Sequence, residues 1–242
     1  MRNKRSNSKR LAASLPTLIA ILGLAAVAVT AGRQADEKIE DIQIAPPTTL
    51  GNPDSSTFAG KFPDQYKAWK STEEMKANTM FGGSNTRDYL AASPHLVVMW
   101  AGNAFAKDYS QARGHQHAVE DVLATKRVND KNPGTCWSCK STGVAPTMLR
   151  DGVEKFYGNK FSAYKEEMGN SIGCADCHEP KTMKLQISRP GLLEGLKSMG
   201  RDIKKVSKDE MKSLVCAQCH VEYHFKGPNK YLKLPWNFGL KI

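Results

Sequence analysis

Six cysteines in 242 residues are far too few for a disulfide scaffold, and none is left over once three C-x-x-C pairs are counted. Convincing two-residue alternation of apolar and polar side chains is scarce, which argues against an all-β domain. No internal repeat occurs beyond the cysteine motif itself, so a solenoid is excluded. The chain carries +11, yet no arginine-rich stripe alternates with aromatics. Its lysines are interleaved with acids or spaced by apolar residues, which excludes a nucleic-acid partner and leaves a solvated surface. With 40% hydrophobic and 24% charged residues, wholesale disorder is excluded as well.

The first ten residues contain no acid but five bases, Arg2, Lys4, Arg5, Lys9 and Arg10, leaving about +6 on the remainder. Leu11 to Thr30 is then apolar and uncharged, long enough to cross a hydrocarbon core of about 30 Å at about 1.5 Å per residue. A basic flank before an apolar run predicts export. Residues 1–32 therefore read as a cleaved signal peptide or an uncleaved anchor, with the body periplasmic or on the outer face of the cytoplasmic membrane. Residues 33–62, rich in Pro, Thr, Ser, Gly and Asp, read as a flexible spacer, and residues 63–242 as the folded domain.

Short helices are predicted in the body. Asp64 to Ala77 carries Tyr66, Trp69 and a Ser71-x-x-Glu74 capping pattern, and Gly114 to Lys126 places Ala118, Val119, Val122 and Leu123 on one face. Ser207-x-x-Glu210 caps a run through Leu214 and Val215 that leads into a cysteine pair, and Tyr164 to Met168 makes a similar approach. Leu96 to Met99 and Leu185 to Ile187 are the best strand candidates. The expected class is mainly α: short helices and long loops packed around covalently bound cofactors.

The pairs are Cys136-Trp-Ser-Cys139-Lys140, Cys174-Ala-Asp-Cys177-His178 and Cys216-Ala-Gln-Cys219-His220. Histidine occupies about one position in forty, so its recurrence directly after two pairs points to C-x-x-C-H haem attachment. Two thiols three residues apart can form thioethers to one porphyrin, and the adjacent imidazole then lies under the iron. Disulfides do not explain the histidines. Zinc ribbons bring their pairs about 15–20 residues apart, whereas 34 residues separate Cys139 from Cys174 and 38 separate Cys177 from Cys216. Three haems would fill the core of a loop-rich chain, and their propionates would offset much of its positive excess. Lys140 departs from the pattern, because an amine binds metal only when neutral and its ordinary pKa is near 10.4. Taken alone, it is either a ligand in a site that deprotonates it or a lost histidine.

C-W-S-C-K followed by two C-x-x-C-H motifs resembles the first three haem sites of the ammonia-forming cytochrome c nitrite reductases, pentahaem enzymes with a lysine-ligated catalytic haem. Further blocks are similar and in the family's order: Asp64-Gln65-Tyr66 with Trp69-Lys70, Leu96 to Gly102, Arg113-Gly114-His115, Asp121-Val122, Gly173 to His178, Ser188-Arg189-Pro190, Val215 to Tyr223 and Pro235-Trp236. The resemblance runs from about Phe62 to Ile242 and corresponds to the N-terminal half of a family member. It implies that Cys136, Cys139 and Lys140 hold the catalytic haem, Cys174, Cys177 and His178 a second, and Cys216, Cys219 and His220 a third with His115 as distal ligand. Arg127 and Tyr223 match the active-site arginine and tyrosine. Glu222 matches a calcium ligand, and Tyr223 lends that ion its backbone carbonyl. His95, His117 and His224 receive no assignment.

The resemblance implies reduction of nitrite to ammonium with haem c and calcium as cofactors. The electron donor would be a membrane-bound or periplasmic cytochrome or quinol dehydrogenase. Two haems, the remaining calcium ligands, an active-site histidine and the helices of the family's homodimer would follow Ile242, so the sequence reads as truncated. A small membrane-anchored triheme electron carrier is the alternative, and a docking partner without chemistry a third. Ligand binding at the lysine-ligated haem separates them.

Overall fold

Prolines and short polar caps set where the helices begin. In the computed structural model, which describes residues 43–74, 78–80, 82–83 and 85–238, Pro63 opens the helix Pro63–Ser71 and Pro190 opens Pro190–Ser198. Proline suits that position because its missing N–H would have no intrahelical partner. Ser207 caps Lys208–Ala217, its side chain accepting from Glu210 N at 3.1 Å, with Asp209 and Glu210 in the positive first turn. Gly152, at φ +88°, separates Val144–Asp151 from Val153–Gly158 in a backbone conformation that favours glycine. Among the described residues no α-helix exceeds the ten residues of Lys208–Ala217, and none is long and apolar enough to cross a membrane. The apolar run 11–30 lies outside the described residues.

Chain contacts divide the molecule into Met1–Asp41 and Ile42–Ile242, and every described residue belongs to the second unit. Its core is aromatic. Trp137 stacks on Phe161 with ring centres 4.0 Å apart and donates from Nε1 to Phe161 O at 2.9 Å. Phe156, Tyr157, Tyr164, Met148, Leu192, Leu196 and Leu234 close around it, all essentially inaccessible to water. The antiparallel pair His224–Lys226 and Tyr231–Lys233 adds Tyr231 and Leu232 to the same core. Beneath them the buried carboxylate of Glu194 receives Tyr231 OH at 2.6 Å, Lys233 Nζ at 2.9 Å and Ile44 N at 3.1 Å.

Several expectations need correction. Leu96–Met99 is one helical turn rather than a strand, because the His95 carbonyl accepts from Val98 N and Met99 N. Leu185 makes only an isolated bridge to His178. The helix expected over Asp64–Ala77 stops at Ser71 and continues as a 3₁₀ turn to Glu74. Ser71 caps nothing: its hydroxyl donates backwards to Ala68 O at 2.8 Å. In place of a helix through Met168, Phe161–Tyr164 is a 3₁₀ turn. The helix expected over Gly114–Lys126 is a 3₁₀ turn, His115–His117, leading into Ala118–Ala124, and its Leu123 points to solvent while Val122 is buried.

The segment read as spacer also differs over its described part. Ser55 and Phe58 are buried, and Phe58 packs on Cys174 and Ala175. Composition reads polar loops as linkers; here serine and glycine are used for close approach to the second cysteine pair, with Ser55 Oγ accepting from Cys174 N at 3.1 Å.

Candidate haem centre

Each cysteine pair is anchored by a side chain standing between its two cysteines, or by the core residue beside them. In the first pair that residue is Trp137, fully buried. The chain enters through the 3₁₀ turn Gly134–Trp137, where a β-carbon on Gly134 would strike the Phe156 carbonyl. Lys140 N donates to Trp137 O at 2.9 Å, three residues back. The second pair is the one-turn helix Cys174–Cys177, with His178 N donating to Cys174 O, and the third ends the helix Lys208–Ala217, with His220 N donating to Cys216 O, each four residues back and at 2.9 Å. The lysine motif is therefore wound more tightly than the two histidine motifs.

The three pairs meet. The Cys139 and Cys219 thiols bear on each other's ionisation; their interaction, with Arg189 and Lys140 nearby, pulls Cys139 down to about 7 and pushes Cys219 up. Gln218 Nε2 lies 3.7 Å from Cys177 Sγ. Desolvation, with Asp176 second, pushes the Cys177 thiol up to about 11. All six thiols are unpaired by disulfides, and Cys174 is the buried one.

The histidines have the geometry of iron ligands. His178 Nδ1 stands 2.8 Å from Met183 O, which fixes Nδ1 as the donor and leaves the Nε2 lone pair for a metal. Met183 presents that carbonyl from a left-handed backbone, φ +57°, which is uncommon for a side chain of its size. His115 and His220 face each other with ring centres 6.2 Å apart. An iron between two imidazoles needs two bonds of about 2 Å and a half-ring on each side, roughly 6 Å in all. The residues present therefore fit a bis-imidazole haem. His115 is exposed as a residue, yet desolvation of its ring, then His220, holds its pKa below the ordinary 6.5, so the neutral ligand form prevails.

Of the other residues singled out from sequence, Tyr223 stands near the first pair. Tyr223 lies within electrostatic reach of Cys139, Cys136, Glu222 and Arg127, and its hydroxyl is held above the ordinary value of 10.0, chiefly by desolvation. Arg127 lies with its guanidinium 4.8 Å above the Phe105 ring and bonds Thr125 Oγ1 from both N and Nε at 3.3 Å. Thr125 in turn donates to Asp108 Oδ2 at 2.7 Å. Phe105, Thr125 and Asp108 were not legible as parts of the site, because nothing in a sequence window links residues 105, 108 and 127. Glu222 is exposed, and among the described residues no group of three or more His, Cys, Asp or Glu gathers to hold a metal. His117 Nδ1 meets Glu120 at 3.2 Å on the surface, and His95 sits at the start of Leu96–Met99.

A buried polar hub lies behind the pairs, also missed from sequence. Arg189, 4% exposed, donates from Nε to Ser138 O at 2.8 Å, from Nη1 to Ser188 Oγ at 2.9 Å, and from Nη2 to Ser141 O at 2.8 Å and Asp176 Oδ1 at 2.5 Å. Asp176 Oδ2 accepts from Gly173 N at 2.7 Å and Thr142 Oγ1 at 2.8 Å. Gln218 Oε1 accepts from Ser188 N and Arg189 N, and its Nε2 donates to Asp176 O and Val215 O. Burial pulls the arginine's pKa down, but the anionic neighbours led by Asp176 outweigh it. The signal available was a charged or amide residue inside the second and third C-x-x-C, Asp176 and Gln218, and an arginine in Ser188-Arg189-Pro190.

Known proteins are similar over the same region. Residues 54–242 match the cytochrome c552 family. Proteins named cytochrome c-552 from Bacteroides fragilis and Bacteroides thetaiotaomicron are 49% and 47% identical over 195 and 192 residues, which is 78% and 76% of this chain and 40% and 39% of theirs. That of Porphyromonas gingivalis is 41% identical over all of this chain and 51% of its own. The solved cytochrome c nitrite reductase catalytic subunit of Desulfovibrio desulfuricans, described with two calcium sites, superposes with a TM-score of 0.69 at 32% identity, over 76% of this chain and 44% of that one. The chain thus spans about half, or less, of the length of these relatives. A mainly helical fold built from short helices, the three motifs and this similarity over most of the folded body lead to one conclusion: the chain belongs to the cytochrome c552 family.

Proposed function

We propose that this chain carries the nitrite-reducing haem site of an ammonia-forming cytochrome c nitrite reductase together with two electron-transfer haems. The observation that carries the reading is Tyr223, within electrostatic reach of Cys136, Cys139 and Arg127, with Lys140 in reach of Cys136. Haem c, when bound, supplies a redox iron at which nitrite takes up six electrons on the way to ammonium.

The chain's own residues do the rest. Cys136 and Cys139 would attach the first haem, and Lys140 would offer its side-chain nitrogen to the iron. Arg127, held over the Phe105 ring, would attract the small anion and offset charge released as oxygen leaves. Tyr223 keeps its proton at neutral pH and can donate it from Oη. Cys174, Cys177 and His178 hold a second haem. Cys216, Cys219 and His220 would hold a third, and with His115 as a second imidazole for its iron that haem would suit electron transfer rather than substrate binding. Glu222 and the Tyr223 carbonyl offer hard oxygens to Ca²⁺ beside the substrate site. The reading carries the family's setting with it: a periplasmic or membrane-anchored body, the anchor at residues 11–30, and a cytochrome or quinol dehydrogenase as donor.

Supplying the haem-loaded chain with reduced viologen and isotopically labelled nitrite, and measuring labelled ammonium, tests this. Turnover that collapses in Lys140→His while covalent haem is retained is expected. Haem-loaded protein that forms no ammonium, or forms it equally well in Lys140→His, would overturn it.

A further inference from the structure

We infer that Arg189 is the positioning residue of the first haem site: its guanidinium clamps the turn carrying Cys139 and Lys140 from behind, and so sets where the lysine amine stands. The inference rests on the reading of Lys140 as iron ligand.

The acceptors single out this turn. Arg189 reaches the carbonyls of Ser138 and Ser141, the residues on either side of Cys139-Lys140, at 2.8 Å each. Both serines are buried, at 5% and 0% exposure, so no water can take the arginine's place at those carbonyls. The turn also needs outside support more than its counterparts do. His178 and His220 each follow a complete α-helical hydrogen bond, whereas Lys140 closes only the tighter bond to Trp137 O. A lysine has four methylenes between backbone and donor atom, so a small shift of its backbone becomes a large displacement at Nζ, and an imidazole on a helical turn has less freedom to lose.

The far side of the guanidinium is equally fixed. Asp176, between the cysteines of the second pair, takes Nη2 at 2.5 Å, with both partners 4% exposed. The amide of Gln218, between the cysteines of the third pair, takes Arg189 N at 3.2 Å. The fork geometry of an arginine is needed here, because its three donating nitrogens reach four acceptors in different directions; a lysine would reach one or two of them as a point charge. A buried arginine is costly unless every partner is in place, which restrains the clamp to one arrangement.

The test uses the haem-loaded full chain with Arg189→Gln, Arg189→Lys and Lys140→His. It reads covalent haem per chain by pyridine haemochrome, the spin-state signals of each haem by low-temperature electron paramagnetic resonance, and kcat and KM for nitrite. Arg189→Gln is expected to keep its covalent haem and the bis-imidazole signal of the third haem, to shift the signal of the Lys140 haem, and to lose roughly ten- to a hundredfold in kcat with KM little changed. Arg189→Lys is expected to recover part of both. An unaltered Lys140 haem signal in Arg189→Gln overturns the inference, as does an equal disturbance of all haems, which is what a general packing role would give. If Arg189→Gln does not accumulate, the same readings on Arg189→Lys decide, and loss of both variants means the residue serves folding and overturns the clamp. Lys140→His keeps the underlying reading separate: an unchanged first-haem signal there sinks the ligand assignment itself, whereas a change there with none in the Arg189 variants sinks only the clamp.

Discussion

His115 and His220 face each other at 6.2 Å between ring centres, with their planes inclined at 44°. That spacing lies at the long end of aromatic ring contacts and equals the roughly 6 Å that two imidazole–iron bonds would span. One ring comes from the 3₁₀ turn His115–His117 and the other follows the helix Lys208–Ala217, so residues about a hundred positions apart are held at ligand spacing. Replacing His115 by Ala should leave the third haem covalently attached through Cys216 and Cys219 but convert it from low spin to high spin. Optical and paramagnetic resonance spectra check this, and an unchanged low-spin signal would remove His115 from the coordination sphere.

Arg127 has a seat of its own. Its guanidinium lies 4.8 Å above Phe105, which packs in turn on Trp100 and Tyr109. A cation over an aromatic face at a partly exposed site is worth about 0.5–1 kcal/mol. Phe105→Leu should therefore raise KM for nitrite roughly two- to fivefold with a smaller effect on kcat. Steady-state kinetics with a viologen donor measure it, and an unchanged KM would show that the ring does not hold the arginine.

Asp108 supports the same segment, and its charge gives a pH dependence of known sign. The Thr125 hydroxyl first, then Lys126 N and Ser110 as donors, hold its carboxyl below the ordinary 3.8. A depressed carboxylate contributes stability that is fully present above its unfolded value and is lost as pH falls through the lower folded value. Denaturant midpoints of the native chain and Asp108→Asn should therefore differ by a constant amount above the unfolded carboxyl range and converge as pH falls through the lower folded value. A gap that persists into acid would place its origin elsewhere.

The thiols of the haem-free chain should differ in reactivity. Cys139 sits at about 7, with the Cys219 thiol as the leading cause, whereas desolvation raises Cys177 to about 11. Alkylation by iodoacetamide at neutral pH, mapped by peptide mass spectrometry, should label Cys139 well before Cys177. The reverse order would mean that the first and third pairs do not meet before haem is attached.

The three cysteine pairs were the most legible feature of this protein, because C-x-x-C is a contiguous string that needs no tertiary information. The helix Lys208–Ala217 was legible for a similar reason: Ser207 and Glu210 are local signals. Leu96–Met99 reads as a strand in sequence because four apolar residues carry no period, whereas local backbone bonds to the Pro94, His95 and Leu96 carbonyls close it as a turn. Arg189 was visible as part of Ser188-Arg189-Pro190 but its role was not. Its partners Ser138, Ser141 and Asp176 are 51, 48 and 13 residues away, and three of its acceptors are backbone carbonyls or a hydroxyl that any sequence could supply. The packing of Ser55 and Phe58 on the second pair was hidden likewise, since composition distinguishes polar from apolar segments but not a linker from a fitted strap.

The central claim is that the Lys140 haem takes the substrate and the His115–His220 haem does not. Adding nitrite or hydroxylamine to the reduced, haem-loaded chain and following the spectrum of each haem tests it most directly. The account predicts that the Lys140 haem responds, that its response is lost or altered in Lys140→His, and that the His115–His220 haem stays low spin throughout. A chain whose Lys140 haem does not respond is an electron carrier, which would contradict the claim.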